Sequence, residues 1–211
     1  MTKTKIFLLT IAALVMALTA ACGGGVQTGP IQLKGNQSVD FTYGLNDAGN
    51  GIVITGYTGA GGKVTIPAVI ENLPVVEIGE NSFRGSGGGA GDPRAGDGIT
   101  SVIVPIGVRK IGRGAFSDCR SLISVTMPDT VEEIMAVAFR GCTSLVSVNL
   151  PASLKMVGIN AFSRNGELRN LSIPNGIAAI EWQGWNHFAG CSKLPLDIQL
   201  RLKALGYPAG F

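Results

Sequence analysis

Cysteine thiols, one histidine and two adjacent glutamates are the residues of this chain whose chemistry could serve catalysis or metal binding. His187 is the only histidine, and no nucleophile stands at a recognisable spacing from it. Glu132 and Glu133 are neighbours whose side chains would point in different directions, so they do not form a paired-carboxylate site. Three cysteines recur three residues after a phenylalanine with no histidine nearby in the repeat register, which predicts buried thiols that fill a core. These cysteines are Cys119, Cys142 and Cys191. We therefore expect no enzymatic activity, metal or cofactor.

A fourth cysteine, Cys22, stands in a setting suited to covalent modification. A positively charged start and an apolar run at 6–18, too short to span a membrane, precede the small residues Thr19-Ala-Ala21. We interpret residues 1–21 as an export signal peptide. Small residues directly before a cysteine resemble the bacterial lipobox, which implies cleavage before Cys22 and diacylation of its thiol. Thr19-Ala-Ala21 is also similar to an ordinary signal-peptidase site, and that alternative stays open.

The segment at 22–38 is predicted to be a flexible, lipidated tether that holds a domain away from a membrane, because it begins Cys-Gly-Gly-Gly and is rich in glycine. Two of the 17 basic residues and none of the 14 acidic residues lie in the signal, so the mature chain has a formal charge of +1. This balance does not indicate a nucleic-acid partner, which would need a clustered basic face. Membrane attachment would then depend on the lipid anchor.

The remainder of the chain is organised as a tandem repeat of 23 residues. Four prolines mark the period: Pro105, Pro128, Pro151 and Pro174. Each is followed in the same register by apolar residues, one column of which we assign to Ile111, Ile134, Val157 and Ile180. A phenylalanine completes each repeat, at Phe116, Phe139 and Phe162 and, after a three-residue insertion, at Phe188. A single repeat cannot bury these side chains, whereas stacked repeats can, so the pattern predicts a solenoid.

The segment before each proline carries the L-x-x-L-x-L register, as in Leu122-x-x-Val125-x-Met127, which predicts a short strand whose last apolar residues point inward. Together with Ile111-Gly-Arg-Gly-Ala-Phe-Ser-Asp-Cys119, this register resembles the BspA-like leucine-rich repeats over 52–191. The resemblance implies a leucine-rich repeat solenoid, β-rich, with short parallel strands stacked one per repeat of roughly 23 residues. It also implies display at the cell surface and attachment to host or neighbouring-cell molecules.

Departures from the period locate the ends of the domain. Two apolar alternating runs around Asn46-Asp-Ala-Gly-Asn50 predict an N-terminal β-hairpin cap at 39–63. We assign the leucine-rich repeats to 64–194, with a glycine-rich insertion at 85–98. Asp197 near the start and Gly206 near the end of an apolar segment predict a short helical C-terminal cap within 195–211.

Strand positions that alternate with the core define a candidate binding surface of small polar side chains on one sheet face. Its candidate residues are Ser101, Ser124, Thr126, Ser147, Asn149, Asn170 and Ser172. Trp182 and Trp185 are further candidates, because they lie in the insertion and an indole contributes strongly to interfaces. Such a strip is compatible with a protein or glycan ligand, including a host-derived one, and it is equally compatible with a solvated sheet face. The alternative function is a structural envelope protein that associates with itself or with the cell wall.

Replacing the lipobox cysteine tests the anchor. We expect Cys22→Ala to leave the chain without fatty acid and to release the domain from membranes, because the acylated thiol would be gone. Fatty-acid labelling and membrane fractionation measure both effects. Equal labelling and fractionation of the variant and the wild type would instead support ordinary signal-peptidase cleavage.

Overall fold

The computed structural model of the protein describes residues 40–86, 96–175, 177 and 180–208. The described chain begins with an antiparallel hairpin of β1 (Phe41–Leu45) and β2 (Ile52–Tyr57). Asn46 closes the turn, since its Oδ1 accepts hydrogen bonds from the backbone N–H groups of Asn50 and Gly51 at 3.0 and 3.1 Å. The hairpin predicted from the turn-forming residues is therefore present.

Two parallel sheets carry the repeats and enclose one apolar core. The front sheet contains five strands in the spatial order β12-β10-β8-β6-β3. Its members are β3 (Gly62–Thr65), β6 (Ile99–Ile103), β8 (Ser124–Thr126), β10 (Ser147–Asn149) and β12 (Asn170–Ser172). The back sheet continues from β1 and β2 through β5 (Leu73–Ile78), β7 (Lys110–Ile111), β9 (Glu133–Ile134), β11 (Met156–Val157) and β13 (Glu181–Trp182).

The predicted leucine-rich repeat solenoid is confirmed, with about five turns. The front-sheet strands are those that the L-x-x-L-x-L register predicts. Each repeat also contributes a second short strand, to the back sheet, which the sequence did not reveal. Most back-sheet strands are two residues long, with one inward apolar residue and one outward residue, so no alternation is long enough to stand out.

The first repeat is longer than the others because it folds an additional hairpin. β4 (Val69–Ile70) pairs antiparallel with the start of β5. Glu71 and Asn72 connect them at φ values of 50° and 64°. Positive φ at both central residues is the type I′ turn that favours tight hairpins. The five additional residues before Ile78 are accommodated here and leave the ladder undisturbed.

A column of phenylalanine rings forms the centre of the core. Phe83, Phe116, Phe139, Phe162 and Phe188 are fully buried, one in each turn. Successive ring centroids lie 4.9 to 5.3 Å apart, with interplanar angles of 17° or less. This distance is close to the spacing of hydrogen-bonded strands, so the backbone ladders set the ring stacking. Each ring is therefore buried by its own counterparts in the adjacent turns.

The position three residues after the phenylalanine links adjacent turns. In the last four turns, its side chain donates a hydrogen bond to the carbonyl of the phenylalanine in the preceding turn. The donors are Cys119 Sγ (2.9 Å), Cys142 Sγ (3.1 Å), Asn165 Nδ2 (3.0 Å) and Cys191 Sγ (3.1 Å). The three cysteines are free and buried, in agreement with the prediction that they fill the core. Asn165 substitutes for cysteine because its amide makes the same contact.

The last turn departs from the predicted register. β13 pairs with β11 so that Trp182 lies opposite Val157. The expectation that Ile180 continues the column of Ile111 and Ile134 is therefore wrong, although Ile180 is buried. The physical reason is the place of the insertion: two of its three residues precede β13 instead of following it. A large indole thereby ends the back-sheet column.

The C-terminal cap is a helix, α1 (Leu196–Ala204), as predicted. Gly206 follows it at φ +86°. The Gly206 N–H bonds to Lys203 C=O at 3.0 Å and the Tyr207 N–H bonds to Leu202 C=O at 3.1 Å, which is the Schellman arrangement. Leu202 is fully buried against the core.

The position two residues before each phenylalanine requires left-handed backbone. Its φ lies between 53° and 61° in all five turns, at Asn81, Gly114, Val137, Asn160 and Asn186. Asparagine and glycine tolerate this conformation, whereas the β-branched side chain of valine is strained by it. Val137 is therefore the unfavourable member of this column.

Replacing Val137 by asparagine, which occupies this position in three other turns, should stabilise the protein. We expect Val137→Asn to raise the free energy of unfolding by about 1 kcal/mol, because it removes β-branching from a left-handed residue. Urea melts measure the change. Val146→Asn is the matched control, since Val146 is partly exposed in a neighbouring turn without positive φ, and no gain is expected there. An equal gain in both variants would contradict the strain explanation.

Candidate binding surface

The predicted polar strip exists as two parallel rows on the outer face of the front sheet. Strand pairing places Ser101, Ser124, Ser147 and Asn170 side by side in the first row. The second row contains Ile103, Thr126, Asn149 and Ser172. The alternating valines between the rows are buried, which fixes the strand faces. The two rows therefore form one continuous surface, hereafter called the strip.

The polar groups of the strip are available for a ligand. Thr126, Asn149, Asn170 and Ser172 are exposed, and the three serines of the first row are half-buried. Within the part of the chain that the structure describes, the side chains of these seven residues make no hydrogen bond to another residue. Because their strands are held on both sides by the ladders, these groups keep fixed spacings. The strip thus presents pre-ordered, uncharged donors and acceptors.

Sequence analysis missed the residues that extend the strip at its first strand. Lys63 pairs with Ser101 and Thr65 pairs with Ile103, so β3 adds a lysine and a threonine to the two rows. The signal was present in the sequence, since Val64-Thr65-Ile66-Pro67 matches Val125-Thr126-Met127-Pro128. The stretched first repeat concealed it.

A cleft lies at the opposite end of the strip. It has a volume of about 340 Å³ and separates β12 from the start of α1. Residues of both strip rows line it, and α1 contributes residues that the sequence did not indicate as site residues. The lining includes Asn170, Leu171, Ser172, Pro195, Asp197 and Ile198. The strip therefore ends in a concave site with polar and apolar walls.

The outer face of the back sheet is charged and pairs its charges internally. Glu132 contacts both Lys155 and Arg109, the latter at 2.7 Å, and Lys110 contacts Glu77 at 3.1 Å. Hydrogen bonds from Lys155 and Arg109 lower the pKa of the Glu132 carboxyl. A groove of about 550 Å³ opens over these ion pairs. Because these five charged side chains pair with one another, they are less free to bind a ligand than the polar groups of the strip.

The two tryptophans have different environments. The Trp182 Nε1–H donates to Leu205 C=O at 2.9 Å, and its ring packs edge-on against Tyr207 and Phe188. It therefore belongs to the C-terminal cap. Trp185 is 63% exposed and remains a candidate contact residue.

His187 occupies a structural position in the last turn. Phe162 N–H donates to His187 C=O as Phe139 N–H donates to Ala161 C=O, so the histidine replaces a buried alanine of earlier turns. Its ring is buried, with Nε2 3.1 Å from Gln183 C=O and Nδ1 without a hydrogen-bond partner among the described residues. Burial lowers the pKa of this imidazole. Among the described residues, no serine, threonine or cysteine side chain is hydrogen-bonded to this ring.

Two of the buried thiols have raised pKa values. Burial raises the pKa of Cys191 to about 12, and the neighbouring Cys142 thiol together with burial raises the pKa of Cys119. Thiolate, the reactive and metal-binding form, is therefore scarce at Cys119 and Cys191 at neutral pH. Among the described residues, no group of three or more His, Cys, Asp or Glu side chains is arranged to hold a metal ion.

Several predicted features lie outside the described residues. These are Cys22, the signal at 1–21, the tether at 22–38, positions 87–95 of the glycine-rich insertion and the last three residues. The described part of the chain contains no helix that is both long and apolar enough to cross a membrane.

The stacked turns and the exposed strip define a leucine-rich repeat solenoid, a class that typically binds other molecules through an extended surface and is generally non-catalytic. A family model for the BspA-type leucine-rich repeat region matches residues 95–207 with six copies. The chain belongs to this family.

Solved structures of bacterial leucine-rich repeat proteins are similar to the chain. The T. pallidum leucine-rich repeat protein TpLRR is 27% identical, with a TM-score of 0.66 over 84% of this chain and 99% of that one. A leucine-rich repeat protein from Bacteroides ovatus is 26% identical, with a TM-score of 0.55 over 74% of this chain and 44% of that one. The pneumococcal vaccine antigen PcpA, at 19% identity, a TM-score of 0.56 and coverage of 74% and 47%, shares the fold alone. No match was found among curated proteins.

The buried histidine makes the stability of the C-terminal cap depend on pH. Because folding lowers the pKa of His187, the unfolded chain binds more protons below the ordinary histidine pKa of about 6.5. Stability should therefore be full above that pH and fall as the pH decreases through the folded pKa. His187→Ala, which restores the alanine of earlier turns, should weaken this dependence between pH 7.5 and pH 5.5, as measured by thermal melts at about these two values. An unchanged pH dependence would contradict the assignment, since the chain has no other histidine.

Proposed function

We propose that this protein is an exported, lipid-anchored, non-enzymatic binding module that attaches to protein or glycan ligands on host or neighbouring cells. The observation that carries the proposal is the strip: seven polar side chains that make no hydrogen bond within the described residues, on a rigid, continuous sheet. Unpaired polar groups that cannot rearrange lose little entropy when a ligand orders them. Their lack of charge suits hydroxyl-rich glycans or polypeptide backbone.

The export part of the proposal rests on the sequence before the domain. The charged start, the apolar run at 6–18 and the small residues before Cys22 fit a signal followed by a lipidated cysteine. Two or more acyl chains give stable anchoring where one is marginal. The tether would then present the solenoid away from the membrane, with the strip accessible.

A second candidate function is self-association in the cell envelope. The helix α1 exposes Leu196 and Leu200, which are 69% and 57% accessible and one turn apart. Terminal caps of solenoids usually have a polar outer face, so these leucines favour contact with another surface. Sedimentation of the mature domain over a range of concentrations distinguishes the two functions, because only self-association predicts a concentration-dependent mass.

Charged substitutions on the strip test the binding function. We expect Thr126→Arg with Ser172→Arg to reduce ligand binding at least about tenfold while the fold is kept, because both side chains are exposed and lie outside the core. Met156→Arg with Gln183→Arg is the matched control on the back sheet. Trp185→Ala tests the exposed indole separately. Glycan arrays, immobilised matrix proteins and cell attachment provide the readout, with circular dichroism as the folding control.

Comparison with the back-sheet variant separates a specific effect of the strip from a general effect of added charge. Equal loss in the strip and back-sheet variants would indicate a general charge effect and contradict the strip as the binding surface. Undiminished binding by a well-folded strip variant would also contradict the strip as the binding surface.

A further inference from the structure

The front sheet ends at β12 with one edge that carries no neighbouring strand. In a parallel sheet, alternate residues direct their backbone groups to opposite neighbours. Asn170 N–H donates to Val146 C=O at 3.0 Å. Ser172 C=O accepts from Leu150 N–H at 2.9 Å. Both residues therefore face β10, so Leu171 between them directs its N–H and C=O to the other side. No strand among the described residues pairs with that side.

Pro195 explains why the ladder stops there. In three successive turns, the residue after the inward leucine donates its N–H to the turn before, from Ile123, Val146 and Arg169 at 2.8, 2.9 and 3.2 Å. Leu194 N–H bonds to Cys191 C=O at 3.2 Å, in the same way as the earlier leucines, so the next position is Pro195. Proline has no N–H, and α1 begins directly after it. The chain therefore turns into a helix where the next strand would lie.

The cleft beside this edge has the dimensions and chemistry of a missing strand. Its polar wall contains Asn170 and Ser172, which flank the outward groups of Leu171. Ile198, half-buried on α1, and Pro195 provide an apolar wall on the helix side. Earlier strands place a buried apolar residue between two outward polar ones, as in Ser-Val-Thr and Ser-Val-Asn. A segment of the same polar, apolar, polar pattern would match both walls.

We infer that the open edge of β12 binds an extended segment of a partner protein, which adds to the front sheet as a further parallel strand. This inference deepens the binding function proposed above, because it names the partner class and the recognition mode. Backbone hydrogen bonds to Leu171 supply affinity, and the contact with Ile198 selects an apolar side chain. A single extended segment fits between β12 and α1, which forms the far wall of the cleft. A second folded copy is a poorer fit, because the strands next to its edge strand would come against α1.

Amide exchange tests whether the edge is open. In the free protein, the Leu171 and Ile173 amides should exchange faster than those of Val125 and Val148, which occupy the same position as Leu171 in paired strands. Leu171 protection equal to that of Val148 at every protein concentration would show a closed edge and overturn the inference. Protection that grows with protein concentration would identify a second copy as the occupant and would overturn it as well.

A peptide with the sequence of residues 145–150 provides the binding probe, because that segment already forms a strand of this sheet. We expect it to bind the mature domain and to slow the Leu171 amide. N-methylation at the peptide positions of Ser147 and Asn149, whose amides would face β12, should weaken binding at least about tenfold. N-methylation at the position of Val148, whose amide would face away, should have little effect. Equal effects of the two modifications would overturn the inference.

Two protein variants separate this site from the strip. Ile198→Trp fills the cleft and should reduce peptide binding at least about tenfold, while Leu200→Trp, on the exposed face of the same helix, should not. If Ile198→Trp does not fold, the N-methylated peptides still test strand addition at β12, because they are measured with the wild-type domain. Failure of the strip substitutions to affect natural ligands would contradict the proposed function but leave the peptide result unchanged, so the two failures are distinguishable.

Discussion

Burial of each side chain against its own counterpart in the next turn is the constraint on which this structure depends. The Phe139 ring stacks between those of Phe116 and Phe162, at the spacing that the strands impose. The same spacing governs the polar contacts. Thr130 reaches Gly107 and Arg109 reaches Glu132, each across 23 residues. A residue type that suits one turn therefore suits all of them, which is why the period is so regular.

The same constraint makes the two ends of the solenoid special, because a terminal turn lacks one counterpart. Tyr57 stacks on Phe83 at 5.6 Å and seals the first ring. At the other end, Tyr207 and Trp182 pack edge-on against Phe188 at 5.6 and 6.1 Å. Tyr57 and Tyr207, from the two caps, together with Trp182 of the last turn, thus replace the missing turn at both ends of the phenylalanine column. Among the described residues, the C-terminal edge of the front sheet has no such replacement.

The two outer faces of the solenoid differ in how their polar groups are paired. On the back sheet, opposite charges in adjacent turns pair with each other, as Glu132 does with Lys155 and Arg109. On the front sheet, the seven serine, threonine and asparagine side chains named above make no hydrogen bond within the described part of the chain. This difference is the reason for proposing the front sheet as the ligand-binding face.

The sequence by itself determined the repeat period, the front-sheet strands, the core columns and the two caps, because a side chain that recurs every 23 residues has one position in a stack of turns. It also predicted the strip, since alternation along a strand assigns each side chain to a face. Tertiary structure alone decided that Trp182, and not Ile180, ends the back-sheet column, because spacing does not show on which side of a two-residue strand an insertion lies. It alone showed that no strand among the described residues follows β12 in the front sheet, since that depends on where the chain turns into α1.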